Sequence, residues 1–290
     1  MAIKTKIQWA TATWNPFIGC TKVSPACDNC YAERWAKRAG RDFSKVARSS
    51  SVTFHSPLAW KEPQRIFVCS LSDFFHADIL RADRHAAIKI MRQAPQHIYM
   101  LLTKRPENIK SQLAGTAWAD GLPANVWVGV TVEDQQQAEK RIPILLRVPA
   151  QVRFLSCEPL LGPIDLWSAI YERKPGTFTS AFAWGKDGVQ WVIVGGESGA
   201  KARSDMQATW VRALRDQCAA AEVPFMFKQW GEWNGGVRMG KDKAGRLLDG
   251  VEYNGVPEVR RCRVCGCTED HACLGGCSWV KADLCSACVK

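Results

Sequence analysis

Short apolar runs alternate with amphipathic stretches along most of the chain. Seven runs have the length and the β-branched or aromatic content of buried strands: Lys6–Trp14, Arg65–Leu71, His97–Thr103, Val126–Val132, Val152–Cys157, Gln190–Val194 and Pro224–Lys228. Apolar positions recur at helical spacing over about Asn29–Ala39, Asp83–Gln93, Gln135–Arg141 and Gln207–Ala221. A further helix starts near Pro106, proline being favoured in a first turn. Pro143 is expected to end the helix that begins at Gln135. Gly40–Pro63 reads as irregular, and Pro163–Gly188 as an insertion or lid. Strand-then-helix alternation predicts an α/β fold: a partial or complete TIM-like (β/α) barrel of parallel strands with helices outside. No G-x-G-x-x-G follows the first run, which disfavours a flat dinucleotide-binding sheet. The pattern changes after residue 235. Residues 236–259, rich in glycine and charge, read as a linker or hairpin, and 260–290 as a compact cysteine-rich metal-binding module.

Composition narrows the setting. No apolar run reaches membrane-span length, and Met1-Ala2-Ile3-Lys4 does not open a signal-peptide core, so a cytoplasmic protein is expected. In that reducing compartment 13 cysteines point to metal ligation rather than disulfides, because ten of them fall into two clusters. The net charge of +11 and the cations Arg34, Lys37, Arg38, Arg41, Lys45, Arg48, Lys61 and Arg65 suit a nucleic-acid partner. Some of the 13 tryptophans could stack on bases, although most belong in a core.

In a parallel barrel, chemistry gathers at the C-terminal strand ends. Here those ends carry Asn15, Asp73, Lys104, Glu133, Cys157 with Glu158, the run Gly195-Gly196-Glu197, and Lys228. Helix capping accounts for Asp134 and Ser72. It accounts poorly for Lys104 and Lys228, since a lysine is electrostatically misplaced at a helix start. Lys104, Cys157, Glu158 and Lys228 are therefore candidate catalytic groups. Asn15, Asp73, Glu133, Gly195, Gly196 and Glu197 are candidate cofactor-binding groups, the glycines allowing close backbone approach. Cys218 lies in a helical apolar pattern and reads as core.

The first cysteine cluster follows the first strand: Cys20, Cys27 and Cys30, spaced C-x6-C-x2-C. Three thiolates do not complete a tetrahedral structural site. They can hold an iron–sulfur cluster with one iron open to a ligand. The second cluster has Cys262-x2-Cys265 and Cys285-x2-Cys288, the spacing of a zinc ribbon. Cys267, His271, Cys273 and Cys277 lie between, so four ligands could bind one zinc ion or eight could bind two.

A cysteine triplet after the first strand of a β/α barrel resembles the radical S-adenosylmethionine (SAM) superfamily. That resemblance implies a [4Fe-4S] cluster on Cys20, Cys27 and Cys30, SAM on its open iron, and a 5′-deoxyadenosyl radical formed on reduction by an electron donor. The superfamily's common spacing is C-x3-C-x2-C, and its glycine-glycine-glutamate lies near the second strand rather than the sixth. Residues 1–235 more closely resemble a phage and prophage family of three-cysteine proteins of unknown function. The matching blocks are Trp14-Asn15-Pro16, the Cys-x6-Cys-x2-Cys-Tyr-Ala loop, Leu102-Thr103-Lys104-Arg105-Pro106, Ser156-Cys157-Glu158-Pro159-Leu160, Gly195-Gly196-Glu197-Ser198 and Lys228-Gln229-Trp230-Gly231. This implies a phage-infected or prophage-carrying bacterial cell and a three-Cys-motif partner protein. The expectation is an enzyme that modifies or repairs a nucleic-acid base. The alternatives are a metal-stabilised nucleic-acid-binding protein without catalysis and, last, a zinc hydrolase.

Overall fold

The computed structural model describes residues 5–168, 170–174, 177–182, 188–203 and 206–258, together with 262, 264–265, 267, 273, 276–281 and 284–289 of the tail. Seven strands form one parallel sheet in sequential order: β1 (Ala12–Trp14), β2 (Arg65–Val68), β3 (Ile98–Thr103), β4 (Val126–Thr131), β5 (Arg153–Cys157), β6 (Trp191–Gly195) and β7 (Phe225–Gln229). The sheet curls but β1 and β7 do not pair, so the fold is a half-barrel rather than a closed TIM barrel. Helices α1 (Tyr31–Arg38), α2 (Arg81–Gln93), α3 (Ile109–Leu113), α4 (Gln135–Leu146) and α5 (Ala208–Ala220) fill the crossovers. Asp134 caps α4, accepting from the Gln137 backbone N–H at 2.8 Å. None of the described helices is long and apolar enough to cross a membrane.

The strands read as continuous apolar runs because both faces are covered. One face, with Ile66, Val68, Tyr99, Leu101, Val128, Val130, Leu155 and Val194, packs against the helices. The other curls inward and is filled by Phe67, Met100, Trp127, Phe154, Trp191, Ile193 and Met226. Trp9, from the segment before β1, plugs this concave side, its ring centroid 4.5 Å from that of Phe67. Gly129 makes room for the Phe154 ring, which stands 2.6 Å from where a β-carbon at residue 129 would lie.

Three sequence expectations need correction. The first apolar run is a strand only over Ala12–Trp14, because Trp9 turns into the barrel. Gly40–Pro63 is not irregular throughout: Ser50 caps a short helix, Ser51–His55, by accepting from the Thr53 N–H, and a 3-10 turn follows. Pro143 lies inside α4 rather than ending it, and Ile142, Leu145 and Leu146 are buried around it, so packing overrides the lost backbone bond. Residues 236–259, expected as a linker or hairpin, fold against the sheet. Trp233–Asn234 and Val237–Arg238 form a hairpin across Gly235 and Gly236, both at positive φ as a two-residue turn requires. The chain then returns antiparallel along β7: Phe227 N–H donates to Tyr253 O and Gly255 N–H to Phe225 O, each at 3.0 Å. The expected insertion contains an antiparallel hairpin, Ile170–Lys174 with Thr177–Ser180.

Candidate functional site

The C-terminal strand ends surround a cavity of about 580 Å³. Cys20, Cys27 and Cys30 line it, with Asp73, Lys104, Arg105, Ser156, Glu158 and Lys228. Gly19 starts the cysteine loop at φ +107°, and a side chain there would strike the Lys45 carbonyl. Gly19 also donates to Leu71 O and accepts from the Ser72 hydroxyl, which fastens the loop to the exit of β2.

Three carboxylates position the loop. Buried Asp73 accepts from Thr103 Oγ1 at 2.8 Å, the Lys104 N–H at 3.1 Å and Arg105 Nη1 at 3.2 Å. Arg105 then donates to Cys20 Sγ at 3.4 Å and to Thr21 O at 2.7 Å. Burial raises the Cys20 thiol above its ordinary pKa, and the Arg105 charge opposes that rise. Glu133 is fully buried. It accepts from Arg141 at 2.8 Å and from the Ala26 N–H at 3.3 Å. Glu197 accepts from Asn29 Nδ2 at 3.1 Å and is clasped by Arg203, whose Nη2 also reaches Pro25 O at 2.8 Å. Burial pushes the Glu197 carboxyl up, but the hydrogen bonds from Arg203 and Asn29 outweigh it and lower its pKa.

The catalytic candidates divide. Glu158 and Lys228 form an ion pair of 2.8 Å inside the cavity, and Trp9 Nε1 and Ser156 Oγ each donate to Glu158 Oε2 at 3.2 Å. Lys104 joins them on the cavity wall. Cys157 does not. Side chains alternate along β5, so Ser156 faces inward and Cys157 is buried on the helix side, its thiol held well above the ordinary range by burial.

Of the cofactor candidates, Asp73 alone lines the cavity. Asn15 pins β1 to β2, its Oδ1 accepting from the Leu71 N–H at 2.9 Å. Gly195 leaves space for the Glu158 carboxylate, and a side chain at Gly196 would strike the Trp230 carbonyl. Those glycines serve protein packing. Glu133 and Glu197 are turned to the loop and its anchors. Sequence reasoning missed Lys6, Trp9 and Lys241 on the cavity wall, and the anchor Arg203. Burial, then the nearby Lys228 charge, lowers the Lys241 pKa. Arg105 was signalled only by its place beside Thr103 and Lys104.

Among the described residues, only tail cysteines gather as ligands of a single ion. Cys262, Cys265, Cys267 and Cys285 have sulfurs all within 4.8 Å of one another. Cys267 joins three of the four expected ligands in this group, and the fourth, Cys288, packs against the same cluster from the terminal Ser286–Cys288 turn. His271 lies outside the described residues. The tail can therefore hold a metal ion.

A family model described as "Protein of unknown function (DUF5131)" matches residues 4–257. The chain belongs to this family. The DUF5131 match runs through the stretch that returns along β7, beyond the expected boundary at residue 235, and stops short of the tail cysteines. Comparison with curated proteins and with solved structures gave no match.

Proposed function

We propose that this DUF5131 chain is an iron–sulfur enzyme of the radical SAM type that modifies or repairs a nucleic-acid base. Cys20, Cys27 and Cys30 would hold a [4Fe-4S] cluster. The observation that carries the reading is that three thiols of one loop open onto the same cavity as the Glu158–Lys228 pair, without gathering around a single-ion position. A cubane suits that arrangement, because each thiolate binds a different iron and the thiolates stand farther apart than around one ion. When bound, the group supplies one-electron reductive cleavage of a sulfonium ligand. The groups left to meet such a ligand are Ser70, Ser72, Lys104 and Glu158, rather than Glu133 or Glu197.

The chain's own residues prepare the site. Asp73 aims Arg105 at Cys20, and a hydrogen bond to a thiolate stabilises its anionic form. Glu133, and Glu197 with Arg203, keep the loop from drifting. Glu158 and Lys228 present their ion pair to the occupant of the cavity. Lys6, Lys22, Lys104, Arg105, Lys228 and Lys241 outnumber Glu33, Asp73 and Glu158 around the cavity, which favours an anionic substrate. Tyr31, on the cavity wall and 51% exposed, and Trp35, one turn on and 39% exposed, offer rings to an unstacked base.

Anaerobic reconstitution should give a brown protein with about four irons per chain, reduced strongly by Cys27→Ala. Dithionite and SAM should then yield 5′-deoxyadenosine. A colourless protein would overturn the assignment. A loaded protein that binds oligonucleotides but never cleaves SAM would favour the non-catalytic alternative.

A further inference from the structure

Six cysteines of the tail meet in two groups of four that share two members. Cys262, Cys265, Cys267 and Cys285 form one group, and Cys267, Cys273, Cys277 and Cys285 form the other. Sulfur–sulfur separations are 3.5 Å for Cys265–Cys273, 3.5 Å for Cys265–Cys285, 3.6 Å for Cys267–Cys277 and 3.8 Å for Cys273–Cys285. A tetrahedral zinc ion with bonds near 2.3 Å sets its thiolates about 3.8 Å apart. The Cys265–Cys285, Cys267–Cys277 and Cys273–Cys285 separations, each inside one group, are therefore those of sulfurs sharing an ion, while Cys265 and Cys273 meet where the two groups adjoin. No described pair is a disulfide, since all these cysteines are free.

We propose that the tail binds two zinc-class divalent ions in one thiolate cluster, with Cys267 and Cys285 each bonded to both ions. Two tetrahedral ions call for eight metal–sulfur bonds. Six thiolates supply eight when two of them bridge. Cys262 and Cys265 are then the terminal ligands of one ion, and Cys273 and Cys277 those of the other. Each thiol releases its proton to solvent as its metal bond forms, and six thiolates on two divalent ions leave a double negative charge. Two backbone donors already point at terminal sulfurs: Cys285 N–H at Cys262 Sγ, 3.5 Å, and Cys273 N–H at Cys277 Sγ, 3.3 Å. Such donors offset charge on terminal thiolates. Apart from cysteines, the cluster's apolar packing among the described residues comes from Leu284 and Trp279. So small a core needs the metal to fold.

The test uses the full-length chain, wild type and with Cys20, Cys27 and Cys30 changed to alanine, so that ions at the loop are not counted. Metal analysis and native mass spectrometry should find two zinc ions per chain in the alanine background. Adding Cys273→Ser should remove one ion, Cys267→Ser should weaken retention of both, and Cys288→Ser should leave two. With cadmium-113 in place of zinc, two resonances should be coupled to each other through the shared sulfurs. The cadmium experiment needs no tail variant, so misfolded variants do not compromise it. One ion per chain, two uncoupled cadmium resonances, or loss of an ion on Cys288→Ser would each overturn the proposal.

Discussion

Arg105 bridges Asp73 and Cys20, standing 3.2 Å from the carboxylate and 3.4 Å from the sulfur. Both Arg105 and Asp73 are nearly inaccessible, with side chains 7% exposed. Removing one partner of a buried pair leaves the other uncompensated, at roughly 3–5 kcal/mol. Arg105→Ala is thus expected to lower stability by about that amount, read from the urea midpoint. Arg105→Lys restores charge without the forked donor set, so stability should recover more than iron loading after reconstitution.

Glu133→Gln tests the second anchor. The change keeps an acceptor for the Ala26 N–H but leaves the Arg141 guanidinium, 2% exposed, without its counter-charge. A loss of roughly 3–5 kcal/mol is expected by urea denaturation. A loss below 1 kcal/mol would mean that Arg141 is satisfied by the Thr131 carbonyl alone, which it meets at 2.8 Å.

Acid should release the third anchor. The folded-state pKa of Glu197 lies below its ordinary 4.5. Its stabilising contribution is complete above the ordinary value and is lost as pH falls through the lowered one. Protease nicking between Asp28 and Arg34, followed from pH 6 downward, should stay flat to about 4.5 and then rise. In Arg203→Ala the rise should begin at higher pH, because the partner that lowers the carboxyl is gone.

Gly129→Ala tests the concave core. The added methyl meets the Phe154 ring, so a loss of about 1–3 kcal/mol is expected from overpacking. Tryptophan fluorescence should shift as Trp127 and Trp191 move with it.

For the proposed nucleic-acid substrate, single-strand affinity should fall linearly on a log–log plot against salt. Trp35→Ala should weaken binding by about 1–3 kcal/mol without changing that slope, since stacking adds no counterion release. An unchanged affinity would remove Trp35 from the interface.

The half-barrel was legible in the apolar runs: β2 to β7 each fall within about a residue or two of the expected limits at their starts, and the cysteine loop follows β1 as expected. Orientation was not legible. Cys157 looked reactive at a strand end, but one position of alternation separates it from Ser156 and turns it away from the cavity. Glu133 and Glu197 looked like ligand groups because they follow apolar runs. Their partners, Arg141 and Arg203, lie 8 and 6 residues on, at separations no local pattern marks. The zinc-ribbon spacing located the tail site, but spacing does not reveal that Cys267 folds inward to join Cys262, Cys265 and Cys285.

The stretch that returns along β7 has a further effect. An outer strand normally presents unpaired N–H and C=O groups, on which a second chain can build a continuous intermolecular sheet. Here the carbonyl of Phe225 and the amide of Phe227 are already taken up by Gly255 and Tyr253. A second chain therefore cannot extend the sheet from these two groups of β7, and templated growth from this border is hindered.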